Sequence, residues 1–286
     1  TLFRSQAPPF NAFMRLDELQ RAVGLTNKAN EVLVRTSSES AESPATAKGL
    51  LKTLREHWSL ADAELELSVL TNRNELELHS SRIFLEPAVV RAATNLPVLA
   101  QSNSPAATAP ATAAQPILTY LVNQFRAGTN STPYSMITAA GPPWTPADLR
   151  EDEIIINHWL AEDLQLRPGG ALELTYFQPE SGAQLVETTN RFRVRSVAPL
   201  EGVYLDRALM PEFPGIAKAE STHDWDAGFQ LVHEIRPKDE AYWKQYRGNP
   251  KAFVSLAAGE KLWANRFGSL TGIRFPVPPG VAAAEY

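Results

Sequence analysis

The chain has 286 residues, with 27 Lys plus Arg against 32 Asp plus Glu, a net charge of −5 and 44% hydrophobic residues. That length supports one large or two medium lobes with a substantial core, and the apolar content excludes a disordered chain. The acidic balance lacks the basic surplus that nucleic-acid binding requires, and the absence of Cys removes disulfides, thiolate nucleophiles and Cys-ligated metals.

The first residue is Thr1, and no charged-then-apolar leader follows it. Apolar runs such as Ile154-Ile155-Ile156 fall far short of the ~18–20 residues of a membrane span. The expectation is either a mature secreted protein or a soluble piece of something larger.

In chain order, Ala12-Phe13-Met14-Arg15-Leu16 reads as a strand, Asp17 as the N-cap of a helix ended by Gly24, and Asn30 to Arg35 as a second strand. A helix follows, with Ser43 as N-cap, Pro44 at its first position, and Leu50, Leu51, Leu54 and Trp58 along a face that must pack on something. Alternation at Leu65, Leu67 and Val69, then at Leu76 and Leu78, predicts a hairpin turned by Thr71 to Asn74, with Arg82 to Leu85 as a further strand. Pro87 starts a short helix. Ala100 to Gln115, nearly all small and polar residues with Pro, reads as a mobile surface excursion.

Ile117 to Val122 and Tyr134 to Thr138 are expected to pair around Ala127 to Asn130. Glu153 to Asn157 reads as a strand, Trp159 to Leu164 as a helix, Arg167-Pro168-Gly169-Gly170 as a turn, and Ala171 to Phe177 as a strand. Two more strands are expected at Gln184 to Thr188 and Arg191 to Val197. Residues 199–240 show no period. Regular structure returns at Glu240 to Tyr246, a strand at Lys251 to Leu256, a helix over Gly259 to Asn265 and a strand over Leu270 to Phe275.

An internal echo crosses this order. Ala12-Phe13-Met14-Arg15-Leu16 lies over Ala252-Phe253-Val254-Ser255-Leu256 at an offset of 240, and each is followed by a helix and a strand. The echo predicts that residues 1–35 are the tail of one repeat and that 36–275 hold a second.

The chemistry is sparse. His57, His79, His158, His223 and His233 show no helical metal spacing, and His233-Glu234 lacks the second His of a zincin helix. The loop Thr222-His223-Asp224-Trp225-Asp226 gathers an imidazole and two carboxylates, suited either to holding a cation or, more simply, to a polar loop with an inward Trp. Ser131 and Ser269 lack the flanks of a nucleophile elbow, and neither phosphate-binding glycine pattern occurs. Glu151, Asp152 and Glu153 read as a solvated strand entry, and Asn130-Ser131-Thr132 fits a glycosylation sequon. No catalytic, cofactor-binding or metal residue is assigned, and the chain is not expected to be an enzyme. Two rivals stay open: a secreted lipid- or glycan-binding module using Trp144, Trp159, Trp225, Trp243 and Trp263, and a hydrolase using His223 and Asp226.

The run from Ile154 through Asn157-His158-Trp159-Leu160-Ala161-Glu162-Asp163-Leu164, the Arg167-Pro168-Gly169-Gly170 turn and Ala171 to Leu174 resembles MacB-like periplasmic core domains of FtsX-like ABC transporter permeases, including lipoprotein-release systems. Leu16 to Leu25 with Asn30 to Val34 is similar to the end of such a domain, and Pro250 to Leu256 through Phe275 takes the matching place in a second copy. The Ala/Pro-rich insertion and the irregular 199–240 stretch depart from the family pattern.

The resemblance implies an α+β fold in two lobes, one built of βαβ units and one β-rich. The expected layout is 1–35 as a tail of a preceding repeat packed on the α/β lobe, 36–99 as the first part of that lobe, and 100–115 as a flexible loop. Residues 116–240 would form the β-rich lobe, and 241–286 the return segment. It also implies a periplasmic or other extracytoplasmic domain of a cell-membrane protein that couples ATP-driven motion to export or release of lipoproteins or other envelope substrates. The implied partners are a separate cytoplasmic ABC ATPase, a second permease copy, and an envelope partner or lipoprotein, with no cofactor and no nucleic acid.

Overall fold

The computed structural model describes residues 14–29, 44–95, 114–179, 185–226, 228, 231–277 and 283, with 44–48 and 50 described by backbone alone. The chain is α+β and divides into two compact units, Thr1–Trp58 and Ser59–Tyr286. In the first, α1 (Leu16–Ala22) begins two residues earlier than an N-cap at Asp17 suggests, with Arg15 as N-cap. Asp17 instead sits in the first turn, where the helix dipole favours a carboxylate, and it pairs with Arg15 and Arg21. Gly24, at φ +69°, follows the helix end as expected. Met14 and Arg15, read as the end of a strand, are not in one.

The second helix, α2 (Pro44–His57), starts at Pro44 as the sequence indicates. Its presumed packing face is open to solvent, since Leu51, Leu54 and Trp58 are 52%, 56% and 48% exposed. The residues Ala12 and Phe13, the strand Asn30 to Arg35, the cap at Ser43 and most of the Ala/Pro-rich run lie outside the described residues.

The second unit is organised by one sheet. The hairpin β1 (Leu65–Leu70) and β2 (Glu75–Ser80) forms with Leu67 opposite Leu78 and Val69 opposite Leu76, so the alternating leucines share one face. Residues 82–85 are not a strand; Leu85 makes a single bridge to Leu270. After α3 (Pro87–Thr94) come β3 (Gln115–Ala127) and β4 (Asn130–Ala140), turned at Gly128, whose φ of +58° a side-chain-free residue adopts without strain. Then follow β5 (Glu153–Asn157), α4 (His158–Leu164), β6 (Ala171–Pro179), β7 (Leu185–Ala198), α5 (Pro237–Tyr246), β8 (Ala252–Val254), α6 (Leu256–Trp263) and β9 (Gly272–Pro276).

The strand order is β1-β2-β9-β3-β4-β8-β5-β7-β6, and β6 returns to pair with β3. Six strands therefore close into a ring, and β9, β2 and β1 extend from it. The length of β3 makes the branch possible: residues 115–117 pair with β9 and residues 124–126 with β6. β4 with β8 and β5 with β7 run parallel, and the other pairs run antiparallel. The α/β and β-rich parts inferred from sequence share this sheet, because β8 of the return segment lies between β4 and β5.

β5 is buried on both faces. Ile154 and Ile156 enter one core with Leu118, Val122, Leu172 and Val254, while Ile155 enters a second with Trp144, Leu149 and Phe253. A continuous Ile-Ile-Ile run is what a strand covered on both sides demands.

Two expected strands at 184–197 are the single strand β7. Its residues 185–193 pair with β6 and 193–198 with β5, so a change of partner occurs without a break in the strand. The last helix starts at Leu256 rather than Gly259 because Ser255 caps it, accepting the Ala258 N–H at 3.3 Å. Gly259 then lies against β4, where an added Cβ would meet the Ala139 Cβ at 2.1 Å. Gly259→Ala is expected to overpack this contact and cost about 1–3 kcal/mol in urea unfolding.

Candidate functional site

The second unit holds an open apolar groove of about 740 Å³, walled by Phe84, Tyr120, Phe177, Leu185, Phe213 and Phe267. Leu185 and Phe267 remain 43% and 50% exposed on it. Its floor comes from the ring: the Tyr120 hydroxyl on β3 donates to the Phe177 carbonyl on β6 at 2.6 Å, and burial, with Tyr176 nearby, pushes the phenol up to about 12. The opposite wall is the Phe213-Pro214-Gly215-Ile216 turn. Gly215 has φ +73° and accepts the Asp226 N–H at 3.0 Å, and a Cβ there would sit 1.8 Å from the Asp226 carbonyl oxygen. Such a groove suits an aliphatic or aromatic guest, and Arg82, Asn123 and Asp226 add polar groups to its lining.

Two buried charge clusters frame the ring. On β9, Arg274 is fully buried and donates from Nε to Glu77 at 2.6 Å and from Nη1 to Asp206, with Glu75 at 3.5 Å; Arg73 reaches the same Asp206 at 2.9 Å. Burial pushes the Glu75 and Glu77 carboxyls up while Arg274 pulls them down. On the other side, Asp163 of α4 receives Arg236 Nη2 at 2.6 Å, Lys238 Nζ and the Thr132 hydroxyl. Burial opposes ionisation there, yet these donors hold Asp163 below the usual carboxylate range.

Behind that cluster lies Lys251. Its ammonium sits 3.9 Å from the Trp159 ring centroid and 4.5 Å from that of Tyr242, with Asp239 at 3.9 Å. Burial pushes it down to about 7, against the pull of Asp239 and Asp163. Neither Lys251 nor Arg274 was singled out by sequence. The signal available was the Glu75/Glu77 alternation opposite a lone Arg in an apolar strand, which becomes legible only once β2 and β9 are paired.

Within the loop Thr222 to Asp226, Thr222–Asp224 is a short 3-10 turn capped by Ser221. Thr222 is buried and gives its N–H, at 2.9 Å, and its hydroxyl to Glu240. These hydrogen bonds overcome burial and hold the Glu240 carboxyl at about 2. Trp225 packs edge-on to Trp243 at 4.8 Å, while His223, Asp224 and Asp226 are exposed. Among the described residues no group of three or more His, Asp or Glu is placed to hold a metal ion. His158 faces Glu162 at 3.5 Å, and the Ser68 hydroxyl lies 2.9 Å from His79 Nε2 across the β1–β2 hairpin. Trp144, Trp243 and Trp263 are buried, so the tryptophans do not line one open groove.

The Ile154 to Leu174 segment is positioned by its cap. Asn157 ends β5, accepts the Leu160 N–H at 2.8 Å to start α4, and donates to the Tyr242 hydroxyl at 3.0 Å. Gln165 leaves the helix in the left-handed region, and the Gly169 N–H ties the turn to the Val194 carbonyl at 2.7 Å. Asn157→Ala is expected to cost about 1–2 kcal/mol by chemical denaturation, because it removes a cap and a buried hydrogen bond together.

No protein-family model and no curated protein matches the chain. Among solved structures, the periplasmic region of MacB from Actinobacillus actinomycetemcomitans aligns at 8% identity over 60% of each chain, with a TM-score of 0.31. A domain of a putative permease protein from Porphyromonas gingivalis aligns at 12% identity over 60% of this chain and 63% of that one, with a TM-score of 0.29. The chain thus spans about 60% of the length of these structures. Likeness at these TM-scores is too loose to assign a fold.

Proposed function

We propose that the chain is an extracytoplasmic domain of an FtsX-like ABC transporter permease, coupling ATP-driven motion to export or release of lipoproteins or other envelope substrates. The observation that carries the reading is the strand, Leu-Ala-x-x-Leu helix, Pro-Gly turn and strand at 153–179, which folds as one capped unit within the ring. Among the described residues no helix is long and apolar enough to cross a membrane. A closed ring clamped by two buried charge clusters would move as a rigid body, which is what a domain passing on motion needs. The reading includes the lobes at 36–99, 116–240 and 241–286, and 1–35 as the tail of a preceding repeat. Its partners are a cytoplasmic ABC ATPase, a second permease copy, and an envelope protein or lipoprotein.

The test is to purify the product of the full reading frame from detergent-solubilised membranes. An ABC ATPase co-purifying in fixed stoichiometry supports the reading. A product recovered without membranes and without an ATPase contradicts it.

The groove favours one second reading, a lipid-holding module without catalysis. Saturable binding of a fluorescent fatty acid to the 286-residue chain, lost in Phe213→Asp, would support it. No binding by the parent chain would count against it.

A further inference from the structure

Closure of the ring removes its edges, and β9 and β2 each have two neighbours, so among the described residues the sheet ends on one open strand, β1. The hydrogen-bond phase identifies the backbone groups of β1 that are unused. Just before the strand, the Ser81 N–H donates to the Glu64 carbonyl at 3.2 Å. By antiparallel alternation, Glu66, Ser68 and Leu70 then bond to His79, Glu77 and Glu75. Pro276 lies opposite Glu75 on the β9 side and has no N–H to give, as this phase requires. Leu65, Leu67 and Val69 therefore turn their N–H and C=O groups away from β2, and those of Leu67 and Val69 meet no backbone partner among the described residues.

Open edges are normally guarded by Lys, Pro or a bulge. The sequence of β1, Leu-Glu-Leu-Ser-Val-Leu, carries neither residue, and its register against β2 is unbroken. Leu67 and Val69 are 46% and 41% exposed. Both continue apolar rows across the sheet, Leu67 with Leu78 and Ile273, and Val69 with Leu76 and Phe275.

We propose that β1 pairs antiparallel with β1 of a second copy of this chain, with Leu67 on the twofold axis. In that register Leu67 meets Leu67 and Leu65 meets Val69 through the outward backbone groups. Glu66 faces Ser68, so no like charges lie directly opposite; the two Glu66 meet only on the diagonal, about 7–8 Å apart in water. The row Ile273-Leu78-Leu67 runs on into its twofold equivalent, six strands wide. A second chain thus supplies what this edge asks for: apolar side chains at the bonded positions and a small neutral residue opposite Glu66. Such an isologous contact closes after two copies, so the edge is consumed without building a fibre. The pairing rests on the open edge and its register and is independent of the transport reading, so either can fail alone.

Because the chain has no Cys, single thiols report the register. Two residues paired on the axis have Cα atoms about 5.5 Å apart, within the span of a disulfide. The two Val69 are offset by four residues along the strands, roughly 14 Å. In the 286-residue chain, Leu67→Cys is expected to form an intermolecular disulfide about tenfold faster than Val69→Cys under mild oxidation. Sedimentation velocity is expected to show a dimer that Leu67→Lys converts to a folded monomer, because an edge Lys blocks pairing and is tolerated at an exposed position. Should Leu67→Lys fail to fold, the two thiol variants decide. A parent chain that stays monomeric at every concentration, equal cross-linking at the two positions, or a folded Leu67→Lys chain that still dimerises each overturn the proposal.

Discussion

Arg274→Met is expected to destabilise the second unit by about 3–5 kcal/mol, read as the loss of urea midpoint at pH 7. The guanidinium is fully buried and is the shared partner of Glu75, Glu77 and Asp206, which come from two elements far apart in sequence. Removing it leaves these carboxylates out of water, with Arg73 still on Asp206 but no cation left for Glu77. Glu77→Leu in the same chain is expected to recover much of the loss, because a buried pair replaced as a pair by apolar groups is close to neutral. A single-variant loss below 1 kcal/mol would mean that water already serves these groups.

The second large effect is a pH dependence. The Lys251 ammonium keeps its proton in the unfolded chain up to about 10.4. In the folded chain it gives the proton up near 7. Between those values the unfolded state binds more protons, so stability rises with pH; below about 7 the full cost of burying the charge is present. From pH 6.5 to 9.5 this group contributes a gain of about 3 kcal/mol. Lys251→Met is expected to remove that slope and to be the more stable protein at pH 6.5. Asp239 stays paired with Arg236 at 2.6 Å in the variant, so no carboxylate is orphaned. The window stops at 9.5 because the buried Tyr120 and Tyr242, pushed up by desolvation, oppose folding only above that range. The check is urea unfolding of parent and variant at both pH values; parallel slopes would show that Lys251 is not the group that titrates.

What was legible in the sequence was local. The limits of β5 follow from Glu153 to Asn157, the β1–β2 hairpin from leucines at every second position, and the β3–β4 turn from Gly128. The closure of the ring was not legible. It depends on β8, three residues long, entering between β4 and β5, and on β6 reaching back to β3, pairings that no local period announces. β7 was read as two strands because polar Thr188, Thr189 and Asn190 interrupt its pattern, near the point where it exchanges one partner strand for another. The charge clusters were hidden for the same reason. Arg274 and Glu77 meet only when β9 is laid beside β2, and Lys251 finds its aromatic box only when α4 and α5 converge on β8. The Thr222 to Asp226 loop drew notice for its composition, yet its buried member is the threonine that holds Glu240.

The most direct test of an extracytoplasmic permease domain is the side of the membrane on which it lies. Asp148 is 71% exposed on the ring unit, and Asp148→Cys in the full reading frame gives a reporter thiol. With a membrane-impermeant maleimide, the account predicts equal labelling in intact and lysed cells, with the labelled protein in the membrane fraction. Labelling that appears only after lysis would contradict it.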